Sequence, residues 1–328
     1  MIRVLVTDDS AFMRKLLSDI INSDPELEVV GTAKDGKDML DKLIKAKPDV
    51  ITLDISMPVM DGLAALKKIM EENPMPVVMI SALSDEENTF ASLELGAVDF
   101  IPKTSGIISL DMNKKRDTII GKIKAAVNAK VQRKVTEQVI EGTEAKLKDD
   151  HVICMGASTG GPKAIESVLQ ALPANFNVPL VIVQHIPSEF SSSFVKRLSR
   201  NSSLEIVEAQ DGKAFRKGVV YIVPGDSNLD IVSGKIKLKK SENAIDDTMK
   251  SLVKLYGSKT LGVILTGMGK DGVAGMKAIH KDGGKTIVQD ESTCVVPTLP
   301  VSVVKAQAAD KVVPLSSIAK EMINVLKK

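Results

Sequence analysis

Short apolar runs recur along the whole chain, and each feeds a polar or glycine-rich turn followed by a segment of helical length. Ile2 to Val6, Val29 to Ala33, Val50 to Leu53, Val77 to Ile80 and Val98 to Ile101 carry the pattern through the first third. Val152 to Met155, Leu180 to Val183, Leu204 to Val207, Val219 to Val223, Leu261 to Leu265 and Lys285 to Val288 carry it beyond Asp150. Runs this short and this uniformly apolar read as strands buried on both faces, the mark of parallel sheets covered by helices. The expected fold is α/β twice over: a doubly wound five-stranded domain, then a second α/β domain on a parallel sheet. An antiparallel ribbon is expected around Gly218 to Leu238 within the second domain, with Ile231 and Ile236 to Leu238 among its strand residues. Helices are expected there over Lys163 to Ala171, Glu189 to Arg200, Asp246 to Tyr256, Gly272 to Lys281 and Leu315 to Leu326.

The pattern lapses between Val135 and Asp150, where charges alternate without a strand signal. The chain therefore divides into a domain over residues 1–130, a linker over 131–150 and a domain over 151–328. With 328 residues, each domain is large enough to bury its own core. Lysine and arginine number 44 against 42 acids, with no basic stretch rich in aromatics, so no nucleic-acid partner is expected. No apolar run approaches a membrane span and Met1-Ile2-Arg3-Val4 is not built as a signal peptide, so a cytoplasmic protein without membrane insertion is expected. Cys154 and Cys294 sit among apolar neighbours, as buried thiols do.

The first strand beyond Asp150 opens into Gly156-Ala157-Ser158-Thr159-Gly160-Gly161-Pro162. A glycine-flanked serine on a strand-to-helix turn puts a hydroxyl beside unpaired helix N–H groups that can hold an oxyanion. A phosphate-binding loop is excluded, because Pro162 stands where its lysine must be, and a dinucleotide fingerprint would need glycine at Ser158. An ordinary turn with serine as N-cap remains open. Of three histidines, His151 and His280 read as surface residues. His185 follows the apolar run 179–184 at a strand's C-terminal end, where open α/β sheets bind ligands, and is the candidate base. Asp271, in the glycine-rich loop Thr266 to Gly272, is the candidate orienting acid. An N-cap role for it, and the competing Asp226 and Asp230, stay open. The order Ser158, His185, Asp271 differs from that of α/β-hydrolases.

In the first domain, carboxylates gather at strand ends: Asp8 and Asp9 after the first, Asp54 after the third. Such a group repels itself unless a cation sits within it, and Mg2+ suits carboxylate oxygens. Asp8-Asp9-Ser10, Leu53-Asp54-Ile55-Ser56-Met57-Pro58, Asp61-Gly62, Ser81-Ala82 and Asp99-Phe100-Ile101-Pro102-Lys103 resemble a two-component receiver domain, a flavodoxin-like fold. The resemblance implies that Asp54 accepts a phosphoryl group from a histidine kinase. It also implies that Asp8, Asp9, Asp54 and the main-chain carbonyl of Ser56 hold Mg2+, that Lys103 neutralises phosphoryl oxygens, and that Ser81 and Phe100 are the switch residues. Thr104 stands where receivers usually carry proline.

The Ser158 turn, Gln184-His185-Ile186-Pro187, Tyr221-Ile222-Val223-Pro224-Gly225 and Thr266-Gly267-Met268-Gly269-Lys270-Asp271-Gly272 resemble the chemotaxis protein-glutamate methylesterases, whose N-terminal half is a receiver. That resemblance implies a triad of Ser158, His185 and Asp271, with the main-chain N–H of Met268 in the oxyanion hole, and Thr159, at the start of the helix, is a second candidate donor. It implies demethylation of glutamate methyl esters on methyl-accepting chemoreceptors and deamidation of receptor glutamines, with no cofactor at the esterase site. Phosphorylation is expected to draw Ser81 and Phe100 inward and to relieve inhibition by the receiver. The alternative is a phosphorylation-gated binding module whose hydrolase-like domain is inactive.

Overall fold

The structure, a computed structural model, describes residues 1–103, 115–129, 147 and 150–327. Thr104 and all of the expected linker except Leu147 and Asp150 lie outside them. The chain divides into two compact units, Met1–Lys134 and Val135–Lys328.

The first unit alternates β1 (Ile2–Thr7), α1 (Ala11–Asn22), β2 (Leu27–Ala33), α2 (Gly36–Ala46), β3 (Val50–Asp54), α3 (Gly62–Glu72), β4 (Val77–Ser81), α4 (Glu86–Leu95), β5 (Asp99–Pro102) and α5 (Arg116–Val127). Its strands form one parallel sheet in the order β2-β1-β3-β4-β5. Strands β3, β4 and β5 are buried at every position, as their mainly apolar sequences favour. Ser10, Asp35 and Asp61 start α1, α2 and α3 by accepting the N–H groups of Met13, Asp38 and Ala64. The strand order reverses between β1 and β3, so the loop after β1 and the end of β3 face one crevice.

The second unit contains β6 (Val152–Ala157), α6 (Gly161–Ala171), β7 (Leu180–Gln184), α7 (Ser191–Arg200), β8 (Glu205–Glu208), β9 (Val219–Ile222), β10 (Ser227–Val232) and β11 (Lys235–Lys240). It continues through α8 (Ala244–Tyr256), β12 (Thr260–Ile264), α9 (Val273–Lys281), β13 (Lys285–Gln289), α10 (Thr298–Lys305), β14 (Lys311–Val313) and α11 (Leu315–Leu326). Seven strands form a parallel sheet in the order β14-β13-β12-β6-β7-β9-β8. The antiparallel ribbon is confined to the hairpin β10-β11, outside that sheet; the start of the stretch expected to form it, Val219–Ile222, is instead β9 of the parallel sheet.

Two elements were not foreseen. β14 has only three residues and lies at the sheet edge, too short and too polar in setting to stand out. α10 contains Pro300 and three valines, poor helix formers, and is carried by burial of Leu299, Pro300 and Val303. The expected helix over Glu189 to Arg200 begins as a 3-10 turn at Ser188–Phe190. His151, expected at the surface, is half-buried and pairs with Asp150 at 2.8 Å, whereas His280 is exposed.

Candidate active site and acidic pocket

In the second unit the central strands β12, β6 and β7 are neighbours, and their C-terminal ends carry the loops with Asp271, Ser158 and His185. Ser158 follows β6 directly and is 7% exposed. Its N–H donates to Thr266 O (3.1 Å), and its carbonyl accepts from Gly161 N–H (2.7 Å) and Gln184 Nε2 (2.9 Å). It is not the cap of α6. That position is Gly160, at φ 77°, and no side chain caps the helix there. The Ser158 hydroxyl is thus left out of secondary structure.

His185 is held by its N–H donating to Ala157 O (3.0 Å), and its ring Nε2 lies 2.8 Å from Asp271 Oδ2. With Nε2 committed to the carboxylate, Nδ1 is the ring nitrogen left for a hydroxyl. Among the described residues no hydrogen bond yet joins Ser158 Oγ to the ring; such bonds often tighten only with substrate. Asp271 Oδ2 also accepts Ile245 N–H (3.0 Å) and Oδ1 accepts Asp246 N–H (2.9 Å). Asp271 therefore does not cap the helix that follows it. It caps α8, while Asp246 of α8 caps α9 by accepting Gly272 N–H (2.9 Å) and Gly275 N–H (2.6 Å). Burial pushes the Asp246 carboxyl up, against the Gly275 N–H, and the nearby Asp271 charge pushes the same way as burial. The competing aspartates are elsewhere: Asp230 pairs with Lys239 on the hairpin, and Asp226 is exposed at φ 59°.

The loop after β12 is stitched beside Ser158. Gly267 N–H donates to Val296 O (2.9 Å), and Gly267 O accepts Leu299 N–H (3.0 Å), which orients the peptide carrying the Met268 N–H. A Cβ on Gly267 would stand 2.8 Å from Ser158 Cβ, so only glycine allows this approach. Thr266 Oγ1 lies 3.1 Å from both Thr159 O and Val296 O and accepts Val296 N–H. Thr159 is buried beside Ser158. Cys154 lies inside β6 with its thiol pushed strongly up by burial, which suits core rather than nucleophile.

In the first unit Asp8, Asp9 and Asp54 offer oxygens within 4.8 Å of one another. Lys103 Nζ lies 2.7 Å from Asp54 Oδ2 and 3.0 Å from Asp8 Oδ2, yet both oxygens are buried without an aligned hydrogen-bond donor. Burial pushes the Asp54 carboxyl up to about 6, with Lys103 opposing and Asp8 adding to the rise. Buried, under-donated carboxylate oxygens of this kind fit a hard divalent cation such as Mg2+. The Ser56 hydroxyl donates to Asp85 (2.9 Å). The Ser81 hydroxyl is engaged by Thr89 and by Ala82 O (3.0 Å) rather than by the acids. Phe100 is 1% exposed and packs edge-on against Phe90. Phe100 is thus buried in β5 of the unphosphorylated receiver.

Gln184, Thr266 and Gly267 stood in the sequence motifs without a role, and Asp246 was not singled out. Gln184 alone left a signal there, a polar residue closing an apolar run.

The family model described as CheB methylesterase matches residues 153–322, and that for the response regulator receiver domain matches residues 4–112. The protein-glutamate methylesterase/protein-glutamine glutaminase of Pyrococcus abyssi is 42% identical over 346 aligned positions, covering 99% of this chain and 94% of that protein. Its counterpart in Thermotoga maritima is 41% identical over 347 positions, covering 99% and 98%. The crystal structure of the Thermotoga maritima CheB methylesterase catalytic domain, 40% identical, superposes with a TM-score of 0.51 over 54% of this chain and 98% of that one. Among the described residues no helix is long and apolar enough to cross a membrane.

Proposed function

The chain belongs to the CheB methylesterase family, with a response regulator receiver domain at its N-terminus, and from that membership we propose that it is a phosphorylation-activated chemotaxis esterase. It hydrolyses glutamate γ-methyl esters on methyl-accepting chemoreceptors and deamidates receptor glutamines to glutamate. The observation that supports this reading best is the His185 Nε2 to Asp271 Oδ2 contact of 2.8 Å, on loops that follow the two neighbours of the strand leading into Ser158.

In the reaction Ser158 Oγ attacks the ester or amide carbonyl and His185 Nδ1 takes its proton. Asp271, held by two N–H groups of α8, keeps the remaining ring proton on Nε2 and balances the imidazolium. The Met268 and Thr159 N–H groups receive the developing oxyanion. The tetrahedral adduct collapses as His185 returns the proton to methanol or ammonia. Water, deprotonated by the same ring, then releases glutamate and restores Ser158. No step calls on a cofactor at this site.

In the receiver, Asp54 accepts a phosphoryl group from a chemotaxis histidine kinase, so the chain works in the cytoplasm. Asp8, Asp9, Asp54 and the Ser56 main-chain carbonyl would hold Mg2+, which when bound neutralises charge on the phosphoryl oxygens. Lys103 pairs with the phosphoryl group, and Ser81 leaves Thr89 to donate to it. The testing experiment is methanol release from methylated receptor by the wild type and by Ser158→Ala. An inactive binding module would release none in either.

A further inference from the structure

Gln184 ends β7, one residue before His185, and is 3% exposed. A carboxamide buried so deeply is costly unless its hydrogen bonds are made. One end is satisfied: Nε2 donates to Ser158 O at 2.9 Å and lies 3.3 Å from His185 O. Both neighbours are carbonyl oxygens, so the amide orientation is dictated by chemistry, since its reverse would set oxygen against oxygen. The other end is not satisfied. Oε1 has no hydrogen-bond partner and lies 2.0 Å from where a Cβ on Gly161 would stand. An apolar side chain would fill this place without an orphaned acceptor, so what glutamine adds is its N–H.

That N–H acts on one peptide plane. The Ser158 carbonyl and the Thr159 N–H belong to the same rigid unit and point in opposite directions. Gly161 N–H and Gln184 Nε2 together hold the oxygen, and so aim the N–H at the other end. The peptide carrying the Met268 N–H is backed likewise, by Leu299 N–H on Gly267 O. Of these three donors only the one from Gln184 is a side chain. We propose that Gln184 is a positioning residue for the esterase reaction, locking the Ser158–Thr159 peptide so that nucleophile and oxyanion donor meet the same carbonyl. This rests on the reading of Ser158 as nucleophile and deepens it.

The test compares Gln184→Met and Gln184→Glu with wild type and Ser158→Ala in the full-length protein, by methanol release from methylated receptor across pH. Circular dichroism sets a temperature at which each variant is folded. A misaimed oxyanion donor weakens the transition state more than the ground state, so kcat of Gln184→Met should fall about 10- to 100-fold with KM within about twofold. Glutamic acid at 184 can donate to Ser158 O only when protonated. The activity of Gln184→Glu relative to wild type should therefore fall as pH rises, while the ratio for Gln184→Met stays level. If Gln184→Met does not fold, the slope of the Gln184→Glu ratio decides. A kcat within about twofold of wild type for Gln184→Met, or a level ratio for Gln184→Glu, with Ser158→Ala inactive, overturns the positioning role. An active Ser158→Ala would instead overturn the reading of the nucleophile beneath it.

Discussion

Asp54 ends one central parallel strand and Asp271 lies in the loop that follows another, yet the two units treat their charge in opposite ways. Asp54 shares its crevice with Asp8 and Asp9, and Lys103 is the one cation paired with it among the described residues. Burial leaves its carboxyl up at about 6 and its Oδ2 without an aligned donor. Asp271 accepts two main-chain N–H groups at a helix start and the His185 ring. The contrast follows from what each must do. In the roles proposed for them, a carboxylate that receives a phosphoryl group beside a metal ion is left needing partners, whereas one that holds a ring in place has its partners built in.

The contrast is broken most severely at the nucleophile. Ser158→Ala should cut methanol release by about 10^4- to 10^6-fold with the melting temperature unchanged. Activity near that of wild type would assign the chemistry elsewhere. Next comes the satisfied carboxylate: Asp271→Asn should cost roughly 10^4-fold, because an amide facing Nε2 permits the wrong tautomer. Wild-type turnover in that variant would remove Asp271 as the orienting group.

The unsatisfied carboxylate should matter less, and only conditionally. Asp54→Asn, or chelation of Mg2+, should abolish stimulation by a phosphodonor while keeping basal turnover, with the stimulation itself about 5- to 150-fold. The fragment 150–328 should exceed the unphosphorylated full-length protein. If the fragment is no faster, the receiver stimulates instead of inhibiting.

The smallest effect tests the helix-cap exchange. The Asp246 carboxyl is raised in the folded state, so ionisation is disfavoured there, and stability contributed by the protonated form is lost as pH rises from the unfolded pKa to the folded one. Asp246→Asn keeps an acceptor for Gly272 and Gly275 and has no charge to repel Asp271. It should melt about 2–4 °C above wild type at neutral pH, with the gap closing near about pH 3. Scanning calorimetry at the two pH values checks this, and an Asn variant less stable at pH 7 would show that the caps need the charge.

Much of this was legible in the chain. Both parallel sheets announced themselves because a strand buried on both faces must be apolar throughout, as Leu180 to Val183 and Val77 to Ile80 are. Ser158, His185 and Asp271 could be singled out because each sits where such a run gives way to a turn. The helix α10 was hidden because its stability is tertiary, and β14 because it is three edge residues.

The sequence by itself determined the α/β class, the division into two units, and the residue types gathered at each strand end. Those follow from local rules, since hydrophobic period and turn chemistry act over a few neighbouring residues. Only the tertiary structure decided that Asp271 caps α8 rather than its own helix, that Asp246 returns the favour, that Gly267 leaves room for Ser158, and that Gln184 grips the Ser158 carbonyl. These are contacts between segments well apart in the chain. No local pattern encodes them, because the donor and the acceptor meet only after the sheet has set the order of its strands.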